Sequence, residues 1–484
     1  MRLRRFTLYD SMSRETRLFV PITAPKVGLF VCGVTPYDDA HIGHGRMGVT
    51  WDMVARCLRR WGYRVFYVQN VTNIDDRLIQ KGAETGTDPI ALGERHFLAW
   101  TLAMDALGVR SVNYYPHATD FLPEILAQVR VLVDKGFAYP SEGSVYYDVG
   151  KFPGYGRLSG QKVEELRAGA GSDVEAGKRS PEDFVLWKAA RPGEPSWESP
   201  WGPGRPGWHI EDTAITVRLF GPRYDIHGGG LDLKFPHHEA EIAQAEAATG
   251  ESPLVNYWMH LGLVSFSGEK MSKSLGNVVP LQDAIERFGP MTVRFYYLNA
   301  HYRSPLDFVV GKSLEEAQES YRRLAAPADR LASVLESVGF ERPGRDLPPD
   351  LAQASGDRVE ELDGAMAADF NSREAIALLF GWSRTVTEWL PRLDALSGSA
   401  LATLGAPYRW AHEVLGLFER ASRPATAGPL SGAVEAALAA RARARARGDY
   451  AEGDRVRDAL RAAGIELEDE GGTTRWRLRA GGPG

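Results

Sequence analysis

Two periodicities alternate along the first hundred residues. "VGLFVCGV" (27–34) is a nearly unbroken apolar run, the pattern of a strand. Behind it Met47, Trp51, Val54 and Leu58 fall at helical spacing, so "HIGHGRMGVTWDMVARCLRRWG" reads as a loop running into a helix. "YRVFYVQNV" is a second apolar strand that runs into the polar "TNIDDR". Strand, helix, strand at this spacing predicts a βαβ unit of a parallel sheet, with ligands gathered beyond the C-terminal strand ends. Cys32, the 41–44 segment and Thr72 all fall at such ends.

From about 140 to 207 the pattern changes. "ARPGEPSWESPWGPGRPGWH" is rich in Pro, Gly and Trp and reads as an insertion between two halves of the sheet. "RYDIHGGGLDLKF" resumes the strand-to-loop pattern, and "HHEAEIAQAEAATG" is a helix closed by Gly250. Residues from about 313 to 420 carry helical periodicity, and "RASRPATAGPLSG" reads as a linker. The last fifty residues predict two helices and a short hairpin turning at Gly471-Gly472. The fold class expected is therefore α/β, a parallel-sheet Rossmann-type domain with an insertion, followed by a helical bundle and a small C-terminal α+β domain.

Composition narrows the function classes. The 484 residues exceed one ordinary domain, and 44% hydrophobic with 25% charged content is that of a globular chain with ample core material. A net charge of −6 neither advertises nor excludes a nucleic-acid partner, because phosphate affinity depends on local patches. Two cysteines, Cys32 and Cys57, exclude a disulfide scaffold and suit a reducing cytosol. The basic start "MRLRRFTLYDSMSRE" leads into no apolar run, and nothing reaches the roughly 18 apolar residues of a membrane span. The expectation is a cytoplasmic protein with no membrane partner.

Three short stretches carry candidate chemistry. In "HIGH", His41 and His44 open a helix just after a strand, where imidazoles and the helix N-terminus together can donate to phosphates. In "GEKMSKSLGN" (268–277), Lys270 and Lys273 lie between Gly268 and Gly276, which suits a mobile loop that neutralises a polyphosphate in the transition state. In "FPHHEAEIAQAE", His237 and Glu241 are four apart and share a helix face. Taken singly each has a plainer reading: incidental loop histidines, a solvated Lys/Ser loop, a surface ion pair.

Together, "HIGH" and "KMSKS" about 230 residues apart in an α/β chain resemble the nucleotide-binding core of class I aminoacyl-tRNA synthetases. "FVCGVTPYDDAHIGHGR", "NVTNIDD", "KFPGYGRLSG", "GWHIED", "YDIHGGGLDLKFPHHEAEIAQ", "VNYWMHLGLV" and "EKMSKSLGN" sharpen this into a resemblance to the cysteinyl-tRNA synthetase family. "HYRSPLDF", "ADFNSREAI" and "GIELEDEGGTTRWR" extend it over nearly the whole chain, in the correct order.

The resemblance implies a division of labour. Residues 1–139 and 208–260 would be the two halves of the catalytic domain, 140–207 the insertion and 261–312 the KMSKS loop and stem-contact region. Residues 313–424 would be a tRNA-binding bundle and 425–484 the anticodon-recognition domain. It implies one zinc ion per chain on Cys32, Asp212, His237 and Glu241, with the substrate cysteine bound through its thiolate near Gly33, Thr72, Trp208 and His227. It implies ATP, with Mg2+, on His41, His44, Gly229, Gly230, Asp232, Lys270 and Lys273, the two histidines and two lysines doing the catalytic stabilisation. The partners implied are L-cysteine, ATP and tRNA(Cys), the enzyme a monomer. Trp476 between Arg475 and Arg477 suits stacking on an unpaired base with backbone neutralisation.

One position departs from the family. Where its pattern supplies a second thiolate, this chain has Asp212, which keeps the ligand charge but replaces a soft donor with a hard one. Two other readings fit the sequence less well. A cysteine ligase acting on an amino sugar would share the core but has no use for "GGTTRWR"; an inactive RNA-binding paralogue would show decay in HIGH or KMSKS, and both are intact.

Overall fold

The computed structural model describes residues 3–161, 177–266, 269–270, 279–338, 341–418, isolated positions between 438 and 461, and the segments 465–470 and 473–478. It divides into two compact units, 1–418 and 419–484, each taken by itself below.

The larger unit opens with a hairpin, β1 (Thr7–Asp10) paired with β2 (Glu15–Leu18). Next comes the predicted βαβ unit: β3 (Lys26–Val34), helix α1 (Ile42–Arg60) and β4 (Arg64–Val71), with the two strands parallel. Helices α2 (Asp76–Thr85), α3 (Pro89–Ala106) and α4 (Leu122–Asp134) follow. The Pro/Gly/Trp-rich stretch then folds as an antiparallel sheet of β5 (Ala138–Ser141), β6 (Ser144–Tyr147), β7 (Phe184–Ala189) and β8 (Gly204–Pro206). Helix α5 (Ile210–Phe220) leads back to the parallel sheet through β9 (Tyr224–Gly230), α6 (His237–Thr249) and β10 (Val255–Leu261). The completed sheet is parallel throughout, in the order β10-β9-β3-β4.

Strand parity decides what lands where. Leu29 and Val31 of β3 pack into one apolar cluster with Val49 and Met53 of α1. Phe30 and Cys32 point the other way, into a second cluster with Val129 of α4, Ile215 of α5 and Ala243 of α6. A central strand sandwiched between two helical layers has no polar face, which is why the sequence reads as a continuous apolar run. Cys32 thereby arrives on the side of the sheet occupied by α5 and α6.

Helix α6 is buried from His237 to Ala247 without a break. A helix with no solvent face must satisfy its polar side chains internally. Glu239 accepts from Ser159 N at 2.9 Å, and Gln244 Nε2 donates to Thr213 Oγ1 at 2.8 Å. Gly250, at φ 79°, ends the helix in the left-handed conformation that glycine adopts readily.

Beyond β10 lie β11 (Val264–Phe266), β12 (Glu269–Lys270), α7 (Leu281–Phe288), α8 (Pro290–Leu298) and β13 (Leu306–Phe308). Five helices follow: α9 (Ser313–Val338), α10 (Pro349–Ala367), α11 (Ser372–Trp389), α12 (Gly398–Leu404) and α13 (Ala406–Leu415). A third apolar cluster, including Leu331, Trp382, Val386 and Leu401, holds part of this bundle together. In the smaller unit β14 (Ile465–Glu470) pairs antiparallel with β15 (Thr473–Leu478), the hairpin read from the sequence. Among the described residues no helix is long and apolar enough to cross a membrane.

Candidate metal centre and nucleotide cleft

The C-terminal ends of β3, β4 and β9 converge on a cleft of about 350 Å³. Of the residues singled out in the sequence, Cys32, Gly33, His41, His44 and Thr72 line it from the first half of the sheet. Trp208, Asp212, Gly230, Asp232 and His237 line it from the second. Two stretches some 170 residues apart are thus brought onto one surface.

At the inner end four donor atoms crowd together. Cys32 Sγ lies 3.4 Å from Asp212 Oδ2 and 3.8 Å from Glu241 Oε1. His237 Nε2 lies 3.0 Å from Asp212 Oδ2 and 3.0 Å from Glu241 Oε1. Zinc bonds of about 2.0–2.3 Å in a tetrahedron imply donor–donor separations of about 3.3–3.8 Å. The two spacings from Cys32 fall in that range and the two from His237 are a little shorter, and the donor set of one thiol, one imidazole and two carboxylates suits the ion. His237 Nδ1 faces His209 Nδ1 at 2.8 Å, which fixes the ring and turns Nε2 toward the other donors.

Burial makes this cluster costly without a cation. The Cys32 thiol is pushed well above its ordinary range by burial, then by the charges of Glu241 and Asp212. Burial also pushes Glu241 up, to about 8, against the pull of His237. Burial alone would lower His237, but Glu241 and Asp212 outweigh it and raise the imidazole to about 10. A dication would reverse each of these conflicts by supplying the missing positive charge.

A second imidazole also reaches the sulfur. His238 Nε2 is 3.1 Å from Cys32 Sγ, and Cys32, His237, His238 and Glu241 each place a donor atom within 4.8 Å of the others. The far side of the His238 ring is engaged: Nδ1 meets His260 Nε2 at 2.9 Å, and His260 Nδ1 meets Ser11 Oγ at 2.8 Å. Gly229 makes room for this ring, since a Cβ there would stand 2.7 Å from His238 Cε1. The sequence pattern selected residues four apart on α6 and so passed over His238, whose side chain leaves the helix about 100° from His237. His209, the residue just before α5, carries no periodic signal either.

Not every expected substrate contact faces the cleft. His227 sits behind the cluster, with Nε2 3.3 Å from Cys32 Sγ and Nδ1 2.6 Å from the Tyr224 hydroxyl. Strand β9 places it beside Phe30, beneath the sulfur, so it supports the donors from the sheet side. Gly229 is likewise buried. Thr72 lines the cleft while its hydroxyl donates to Glu211 Oε1. Trp208 is exposed and stacks on His237, with ring centroids 4.4 Å apart, covering the donor set from outside.

At the outer end, His41 and His44 build the start of α1. Gly43 N donates to His41 Nδ1 at 3.1 Å, and His41 N donates to His44 Nδ1 at 3.2 Å. An imidazole whose Nδ1 accepts must carry its proton on Nε2, so both rings are set as Nε2–H donors. The rings stack with centroids 3.8 Å apart. Lys270 falls on β12 opposite Ser265, and Lys273 lies outside the described residues. Arg475, Trp476 and Arg477 fall on β15, with Trp476 opposite Leu467.

Comparison with known proteins identifies the family. Residues 18–319 match the family of class I (C) tRNA synthetase catalytic domains, and residues 427–477 match the cysteinyl-tRNA ligase anticodon binding domain. The cysteine–tRNA ligase of Laribacter hongkongensis is 46% identical, over 97% of this chain and 99% of its own length. That of Syntrophobacter fumaroxidans is 42% identical over the same shares of each chain. Among solved structures, Mycobacterium tuberculosis methionyl-tRNA synthetase bound to methionyl-adenylate superposes with a TM-score of 0.61 at 16% identity, covering 81% of this chain and 92% of that one. That likeness concerns the fold alone.

Proposed function

The chain belongs to the cysteine–tRNA ligase family, a class I synthetase, and from that premise we propose how its residues activate cysteine and pass it to tRNA. The single observation that carries the reading is the meeting of Cys32, Asp212, His237 and Glu241 at the floor of the cleft that His41 and His44 line.

One zinc ion per chain would be held by Cys32, Asp212, His237 and Glu241; when bound it supplies a Lewis-acid position that takes a thiolate in preference to a hydroxyl or a methyl group. A shape-selective pocket separates such small side chains by only about 1–3 kcal/mol. Trp208 closes over the bound amino acid, with Gly33 and Thr72 beside it and His227 holding the sulfur ligand from below. The substrate α-carboxylate then stands where it can attack the α-phosphorus of ATP, giving cysteinyl-adenylate and pyrophosphate. His41 and His44 donate Nε2–H to the phosphates at the N-terminus of α1, where the helix dipole favours negative charge. Lys270 and Lys273 neutralise the β- and γ-phosphates as charge moves onto them, and ATP brings Mg2+ with it. Gly230 and Asp232, with Gly229 behind, shape the adenosine side. The tRNA 3′-terminal hydroxyl takes the acyl group. No side chain forms a covalent intermediate; the protein positions reactants and stabilises charge. Arg475, Trp476 and Arg477 hold the anticodon.

The proximity of His238 to the sulfur supports a second donor set, with His238 in place of Asp212. Zinc retention against a graded series of chelators separates the two. We expect Asp212→Ala to lose zinc far more readily than wild type, Asp212→Cys to hold it more tightly, and His238→Ala to stay near wild type. The reverse order for Asp212→Ala and His238→Ala would move the fourth donor to His238.

A further inference from the structure

Aspartate at position 212 brings an atom that a thiolate does not have. Its Oδ2 faces Cys32 Sγ at 3.4 Å and His237 Nε2 at 3.0 Å, which leaves Oδ1 to be satisfied in a place without solvent. Asn70, on β4, meets it: Asn70 Nδ2 donates to Asp212 Oδ1. The other end of the same amide, Asn70 Oδ1, accepts from Gly33 N at 2.6 Å. Gly33 follows Cys32 directly, so one side chain bridges the backbone of one donor and the carboxylate of another. Asn70, Asp212 and Cys32 are buried, at 3%, 1% and 4% exposed, and Gly33 is half-buried.

The orientation of the amide follows from its partners. Gly33 N–H can only donate, and the Asp212 carboxylate can only accept, so carbonyl and amino ends are assigned without ambiguity. The backbone makes room for this. The β3–β4 register shifts between Val31 and Val34, which frees Gly33 N from the strand ladder. A Cβ on residue 33 would collide with the backbone carbonyl oxygen of Asn70, so only glycine lets the two strands run this close here.

We propose that Asn70 is a positioning residue for the metal centre, tying the Cys32 and Asp212 donors together and committing Asp212 to offer Oδ2 alone. The proposal rests on the reading of Asp212 as a zinc ligand. Its consequence is specific: Asn70 matters because residue 212 is aspartate. With sulfur at that position the amide has no second oxygen to hold.

The test is a double-mutant cycle on the full chain, reading zinc affinity by competition with a chromophoric chelator. Wild type, Asn70→Ala, Asp212→Cys, the Asn70→Ala/Asp212→Cys double variant and Asp212→Ala are compared, with thermal melting of each zinc-free protein to establish equal folding. Where Asn70→Ala does not fold, Asn70→Ser takes its place in the cycle. We expect loss of the Asn70 amide to weaken zinc about tenfold or more in the wild-type background. In the Asp212→Cys background the loss should stay within about twofold, the level of independent sites. Equal losses in both backgrounds would place the effect of Asn70 in the Gly33 backbone alone and overturn the proposal, as would no loss in either. If Asp212→Ala bound zinc as tightly as wild type, the ligand reading itself would fall, whatever Asn70 did.

Discussion

His41 and His44 each commit one ring nitrogen to the backbone at the start of their own helix, and the other nitrogen becomes a donor as a result. In the role proposed for it, Lys273 acts differently, supplying charge where negative charge accumulates during the reaction. We therefore expect Lys273→Ala to lower kcat for cysteine-dependent pyrophosphate exchange about a hundredfold or more, with little change in KM for cysteine. Retention of more than about half the rate would remove Lys273 from that role. At this scale the sequence was legible where a periodic element repeats its face. His237 and Glu241 announce themselves as a helical pair, and Cys32 by its place at the end of an apolar strand. Asn70, His209 and His238 do not, because their roles depend on partners far away in the chain: Asn70 on Asp212, His209 on His237, His238 on Cys32 and His260.

Helix α1 carries the two histidines at one end, and its middle is held by a buried charge. Asp52 Oδ2 accepts from Arg294 Nη2 of α8 at 2.6 Å and from Arg56 Nε at 2.7 Å. Arg294 also donates to the Leu107 and Leu415 carbonyls, so α1, the end of α3, α8 and the end of α13 meet at one guanidinium. Gly416, at φ 62°, lets the chain pass: a Cβ there would lie 2.5 Å from Arg294 Cζ. Charged residues in amphipathic helices read as surface positions in the sequence, and only the packing of four elements reveals this hub. Burial alone would raise the Asp52 pKa, but Arg294, Arg56 and the Ser111 hydroxyl hold it below its ordinary value. Because the folded-state pKa is the lower one, the unfolded chain binds the extra proton. The stabilisation is then complete above the unfolded pKa and lost as pH falls through the folded one. Asp52→Asn leaves Arg294 buried without its counter-charge and should cost about 3–5 kcal/mol. Urea unfolding should find that difference constant between about pH 5 and 8 and shrinking only in stronger acid. A difference below about 1 kcal/mol, the level of an exposed pair, would contradict this account of the hub.

On the scale of the whole molecule, the groups assigned to activation all lie in the unit spanning 1–418, while the match to an anticodon binding domain begins at 427. Truncation near residue 425 should therefore leave cysteine-dependent pyrophosphate exchange close to the full-length rate and sharply lower charging of tRNA. Equal losses in the two assays would argue against a separable RNA-binding unit. The alternation of strand and helix made the parallel sheet readable, since both faces of its strands are buried and its ligands must sit at their ends. The insertion was less readable, because the Pro/Gly/Trp-rich stretch conceals the strands β5 to β8, whose pairing joins residues as distant as Val145 and Trp187. Recognition of a thiolate by a metal-dependent centre is the central claim about this chain. Its most direct test is ATP–pyrophosphate exchange driven by cysteine and by serine, on the zinc-loaded protein and again after chelation. Cysteine should drive exchange and serine should not, and chelation should abolish the cysteine signal while restored zinc recovers it. Exchange that survives chelation undiminished, or that serine drives as well as cysteine, would contradict the account.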